Sequence, residues 1–157
     1  MATPTKEIKR ILVVSRMTPY CQEAVRMGAS LARQYGTELF LIHVIHNPFG
    51  IEGWNLPLPS LEKDYQKLLR DWREDMEKMV AAEKARGLEV VEILREGDPV
   101  DEVVAAVEEH AIDLMIMLAQ TENRLEQFLF GRDNDELVRR LPCSIMLVKK
   151  EPGPVDW

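Results

Sequence analysis

Few residues in this chain are of a type and spacing that could do chemistry. His43 and His46 lie three apart on an expected strand, so they face opposite sides of a sheet and cannot share a metal. His110 falls at an expected helix end, where a cation suits the helix dipole. Cys21 and Cys143 show neither metal nor redox spacing and read as two buried, reduced thiols. Ser15 has no base near it in sequence. That leaves the loop from Ala119 to Arg132, which contains one glycine, Gly131. Arg132, Arg124 and Arg16 could together receive a small anion. The plainer reading leaves them solvated or paired with Glu122, Glu126 or Asp133.

What could position these residues is a series of βα units. Ile11-Leu12-Val13-Val14 opens a strand over Arg10 to Ser15, apolar on both faces. Thr18-Pro19 starts a helix with Thr18 as N-cap, and Gly36 ends it. Glu38 to Ile45 is a second strand. Residues 46–59, HNPFGIEGWNLPLP, are too rich in Pro and Gly for regular structure, yet carry Phe49, Ile51 and Trp54. They read as an insertion packed on the sheet, or else as a lid or partner surface. Ser60 caps a long amphipathic helix reaching Arg86. Leu88 to Arg95 is a third strand whose charges suit a sheet edge. Asp98-Pro99 caps a third helix, buried through Val100, Val103, Val104 and Val107. Leu114 to Leu118 is the fourth strand, Asp135 to Leu141 a short helix, and Ser144 to Val148 the fifth strand. Arg139 and Arg140, near the end of the short helix, read as structural complements to its dipole.

Alternating strands and helices predict an α/β fold: a Rossmann-like, doubly wound, five-stranded parallel sheet with helices on both faces. At 157 residues the chain is expected to be one domain over 1–157, with an N-terminal arm at 1–9 and a tail at 150–157. Ligands of such sheets sit where loops leave the carboxyl ends of the strands. A net charge of −7 argues against nucleic acid and anionic membranes as partners. No apolar run is long enough to span a bilayer, and the polar start is unlike a signal peptide, so a cytoplasmic protein is expected.

Four places carry a resemblance to the universal stress protein family, in its single-domain, UspA-like form. They are the opening strand, the Gly97-Asp98-Pro99 turn, the Asp113-Leu114-Met115-Ile116-Met117 strand, and Leu125 to Gly131 leading on to Arg139-Arg140-Leu141-Pro142-Cys143-Ser144. The resemblance spans Arg10 to about Lys149. It implies the strand order 3-2-1-4-5. In nucleotide-binding members it also implies the pattern G-x2-G-x9-G-[ST] after the fourth strand, whose glycines let backbone N–H groups reach the phosphates. Aligned on Gly131, those positions are Leu118, Thr121, Gly131 and Arg132. Two of the three glycines and the hydroxyl are missing. Such members also carry an acidic residue just after the first strand, where this chain has Arg16 following Ser15.

The expectation is therefore a degenerate nucleotide pocket at Ser15, Arg16, Leu118, Thr121, Gly131 and Arg132, with no cofactor and no metal. The protein would be a non-enzymatic stress-response homodimer, with a protein partner as a further candidate for what it contacts. The alternative is a divergent pocket for ATP, AMP or a small anion, with weak ATPase activity as its enzymatic form. A phosphoaccepting receiver shares the βα order but needs acidic residues where this chain has Ser15-Arg16 and Arg95-Glu96, so that reading fails. In the implied order the fifth strand is an edge. Its Ile145, Met146, Leu147 and Val148 carry no charge, which predicts a homodimer through that strand.

Overall fold

A computed structural model describes residues 4–15, 21–45, 59–119 and 135–149. The strands are β1 (Arg10–Ser15), β2 (Glu38–Ile45), β3 (Val90–Glu96), β4 (Leu114–Leu118) and β5 (Ser144–Val148). The helices are α1 (Cys21–Tyr35), α2 (Pro59–Ala85), α3 (Pro99–Glu109) and a short α4 over residues 135–140. The five strands are parallel, in the order β3-β2-β1-β4-β5. This is the order that the family resemblance implies.

Alternation along the strands explains their unbroken apolar runs. Ile11, Val13, Leu39, Leu41 and Ile116 face α1 and the second half of α2, with Met76, Met79 and Val80. Leu12, Phe40, Ile42, Met115 and Met117 face α3, and Leu137 of α4 joins that layer. Both faces are covered, so neither can be polar.

α1 lies close on the sheet because Gly28 has no side chain. A Cβ there would stand 2.6 Å from Val13 Cγ2 and 3.1 Å from Leu39 Cδ1. At the amino ends of the strands, the Asp113 carboxylate accepts from the backbone N–H groups of Lys9 (2.8 Å) and Arg10 (3.1 Å). These bonds, led by that from Lys9, hold its carboxyl below the usual range. α3 begins as its sequence predicts: Asp98 accepts from the Asp101 N–H at 3.0 Å, with Pro99 in the first turn.

Four local expectations need adjustment. β3 starts at Val90, not Leu88, because the N–H groups of Arg86 and Leu88 both turn back to the Glu83 carbonyl. α2 starts at Pro59, so Ser60 lies inside it rather than capping it. Proline suits a first helical turn, where its missing N–H has no partner to lose. Cys143 is only half-buried, whereas Cys21 is fully buried, and neither is in a disulfide. Leu68, expected on the buried stripe of α2, is 41% exposed, since that helix packs on the sheet mainly from Met76 onward. The proline-rich segment 46–59 lies outside the described residues except for Pro59, as do Thr18 and Pro19.

Candidate functional site at the carboxyl ends of the strands

Ser15, Ile45, Glu96, Leu118 and Val148 end their five strands on one side of the sheet. Of the six positions expected to form a degenerate pocket, Ser15 and Leu118 are described. Arg16, Thr121, Gly131 and Arg132 lie outside the described residues, as does Arg124. Leu118 is 3% exposed and pairs in register with Val148. Its side chain belongs to the α1/α2 layer of the core.

Ser15 is buried. Its Oγ meets Met79 Sδ on α2 at 3.5 Å, and its carbonyl meets His43 Nδ1 at 2.9 Å. A carbonyl only accepts, so Nδ1 carries the proton and Nε2 presents a lone pair. Nε2 is buried with no hydrogen-bond partner among the described residues. The His43 ring lies against Trp72 of α2, with centroids 4.3 Å apart. Burial lowers the His43 pKa, while the bond to the Ser15 carbonyl opposes that shift. The imidazole is therefore neutral at pH 7. It bonds the serine carbonyl rather than the hydroxyl, so the two do not form a nucleophile–base pair.

Two further groups extend this end. The Tyr65 hydroxyl is pushed up to about 12, first by burial and then by the neighbouring carboxylate of Glu96. Gln22 of α1 donates from Nε2 to the Met79 carbonyl at 3.2 Å, tying α1 to α2 beneath Ser15. Nothing in the sequence pairs His43 with Trp72. Their meeting depends on the β1–β2 register and on the placement of α2, and His43 showed only as half of a failed metal pair. Among the described residues, no group of three His, Cys, Asp or Glu is placed to hold a metal, and no helix is long and apolar enough to cross a membrane.

A neutral, buried imidazole carries a definite pH dependence. Its proton affinity is lower folded than unfolded, so its contribution to stability is whole above about pH 6.5 and is lost as pH falls from there toward its lowered folded value. The expected slope in that window is at most ~1.4 kcal/mol per pH unit. Urea titrations at a series of pH values should show it in the parent and not in His43→Leu. Equal slopes in both proteins would remove the claim.

On the other side of this end, β5 forms an open edge. Leu147 is 55% exposed, Ile145 and Met146 are half-buried, and Val148 is buried. At the opposite edge, β3 carries Glu92 bound to Lys84 at 2.7 Å, and Arg95 bound to Glu109 and Glu102. Among the described residues, the charged edge is guarded by ion pairs and the apolar one carries none.

The family model described as "Universal stress protein family" matches residues 7–149. A universal stress protein of Methanothermobacter thermautotrophicus is 24% identical over 143 residues, covering 91% of this chain and 97% of that protein. The structure of universal stress protein UspA from Lactobacillus plantarum superposes with a TM-score of 0.74 at 16% identity, covering 92% of this chain and 99% of that one. The universal stress protein from Archaeoglobus fulgidus, solved in complex with dAMP, superposes with a TM-score of 0.64 at 14% identity, covering 91% and 98%.

Proposed function

Since the chain belongs to the universal stress protein family, we propose that it is a homodimeric, non-enzymatic stress-response protein that does not bind ATP through a glycine loop. It would act in the cytoplasm through contacts with proteins. Leu118 carries this reading. It stands where the nucleotide-binding pattern has its first glycine, and its buried isobutyl group fills space at the end of β4. Backbone N–H groups cannot approach a phosphate across a side chain of that size. The apolar edge of β5 supports the dimer.

Nucleotide content tests the first part. The purified protein is denatured, the supernatant is chromatographed for ATP, ADP and AMP, and Mg-ATP is titrated into intact protein. No released nucleotide and no heat are expected. Bound nucleotide, or micromolar affinity, would favour the second reading, a divergent pocket for a nucleotide or small anion. The dAMP complex of the Archaeoglobus fulgidus relative supports that second reading, and so does the unengaged His43 Nε2, which could accept a hydrogen bond from a ligand. An ATP turnover assay on the same sample covers the enzymatic form.

A further inference from the structure

α1 and α2 leave a groove of about 550 Å³ between their carboxyl-terminal halves. It is lined by Arg26, Ser30, Arg33 and Gln34 of α1, and by Glu83 and Arg86 at the end of α2. The four α1 residues recur at helical spacing, so they share one side of that helix. Three guanidiniums against one carboxylate leave two net positive charges in the lining, in a chain of net charge −7. Such a concentration of like charge is unfavourable unless something compensates it.

The three arginines are held differently. Arg33 is fixed: it forms an ion pair with the buried Glu83 carboxylate and donates to the Glu83 main-chain carbonyl at 3.3 Å. Arg26 reaches Glu23 at 2.7 Å across one turn, with half its side chain in solvent, so that pair is weak and open to exchange. Arg86 has no side-chain partner among the described residues, and neither have Ser30 and Gln34. The groove thus offers one rigid guanidinium, two available ones and two neutral donors. A carboxylate, with one charge and two oxygens, would leave much of this unused. A phosphoryl dianion matches both the charge and the number of donors.

We propose that this groove binds a dianionic phosphoryl group, either free phosphate or the phosphate end of a small phosphomonoester. The site is separate from any nucleotide pocket. α1 runs through Gly36 and Thr37 into the start of β2, and α2 runs through Arg86 into the start of β3. The groove therefore lies toward the amino ends of the strands, opposite the loop after β4.

The test uses the full chain and isothermal titration at moderate chloride concentration. Inorganic phosphate is titrated in one arm and ribose 5-phosphate in the other. Saturable binding is expected, with Kd on the order of a millimolar or tighter. Equal affinities would identify the free anion as the ligand, and tighter binding of the ester would identify a larger molecule. The Arg26→Ala/Arg86→Ala double variant leaves the Arg33–Glu83 pair intact and should fold normally by circular dichroism. It should bind at least about tenfold more weakly. Arg132→Ala should bind as the parent does. No saturable heat in either arm, or an affinity unchanged in the double variant, would overturn the proposal. So would loss of binding in Arg132→Ala instead.

Discussion

Leu147→Glu is expected to turn the proposed dimer into a monomer at micromolar concentration. Two copies pairing through β5 about a two-fold axis would place their edge strands antiparallel, with the same patch on each side. Leu147 is the most exposed apolar residue of that strand, at 55%. Burying a leucine is worth about 1.5–3 kcal/mol, and each dimer would lose it twice. Two buried carboxylates facing one another add a further penalty. The loss of about 3–6 kcal/mol weakens association by roughly two to four orders of magnitude. The fold itself should change little, because the side chain is already largely in water within one protomer. Sedimentation velocity across a dilution series gives the answer. A parent protein that sediments as a monomer, or a variant that remains a dimer, would end the β5 model.

Gly28→Val carries the largest expected effect on stability. The added Cβ alone would sit at 2.6 Å from Val13 Cγ2, well inside van der Waals contact, and Val13 is itself fully buried on the central strand. The β-branched Val13 side chain has little room to yield without moving β1 or lifting α1. Overpacking of this kind costs about 1–3 kcal/mol for small additions, and valine's branched side chain adds to the misfit. Removing glycine from a helix returns at most about 1 kcal/mol, so the net loss should be near 3 kcal/mol. For a chain of this length, that lowers Tm by roughly 6–12 °C. Gly28→Ala should fall between parent and valine variant. Thermal denaturation showing Gly28→Val as stable as the parent would mean that α1 sits farther from the sheet than described.

Most of the architecture was legible because the strands are buried on both faces. An unbroken run such as Leu39-Phe40-Leu41-Ile42 can belong to little else when turn residues bound it. Asp98-Pro99 was legible for a similar reason: a cap is a local device and needs no distant partner. What escaped depends on contacts between segments far apart in sequence. Nothing in the sequence sets Glu83 apart from the other charges of α2, yet it is buried against Arg33, fifty positions earlier. Arg140 fits its expected structural role by a longer route, binding Asp101 of α3 at 2.8 Å as well as Glu136. At the candidate site, Ser15 and Leu118 could be placed at strand ends from the sequence. The bond from His43 to the Ser15 carbonyl could not, because it follows from strand register rather than from any motif.

The strand order also fixes a sequence of events during synthesis. β1 is made first, and its partner on one side, β2, follows soon after. Its partner on the other side is β4, so Ile11 must wait for Leu114, about a hundred residues later. At ribosomal speeds of about 5–20 residues per second, that wait lasts several seconds or more. Throughout it, one edge of the apolar strand β1 has no neighbour to close it. A nascent chain carrying β1 to α3 is therefore a sheet with its centre exposed, and chaperone capture should fall off only once β4 has left the ribosome.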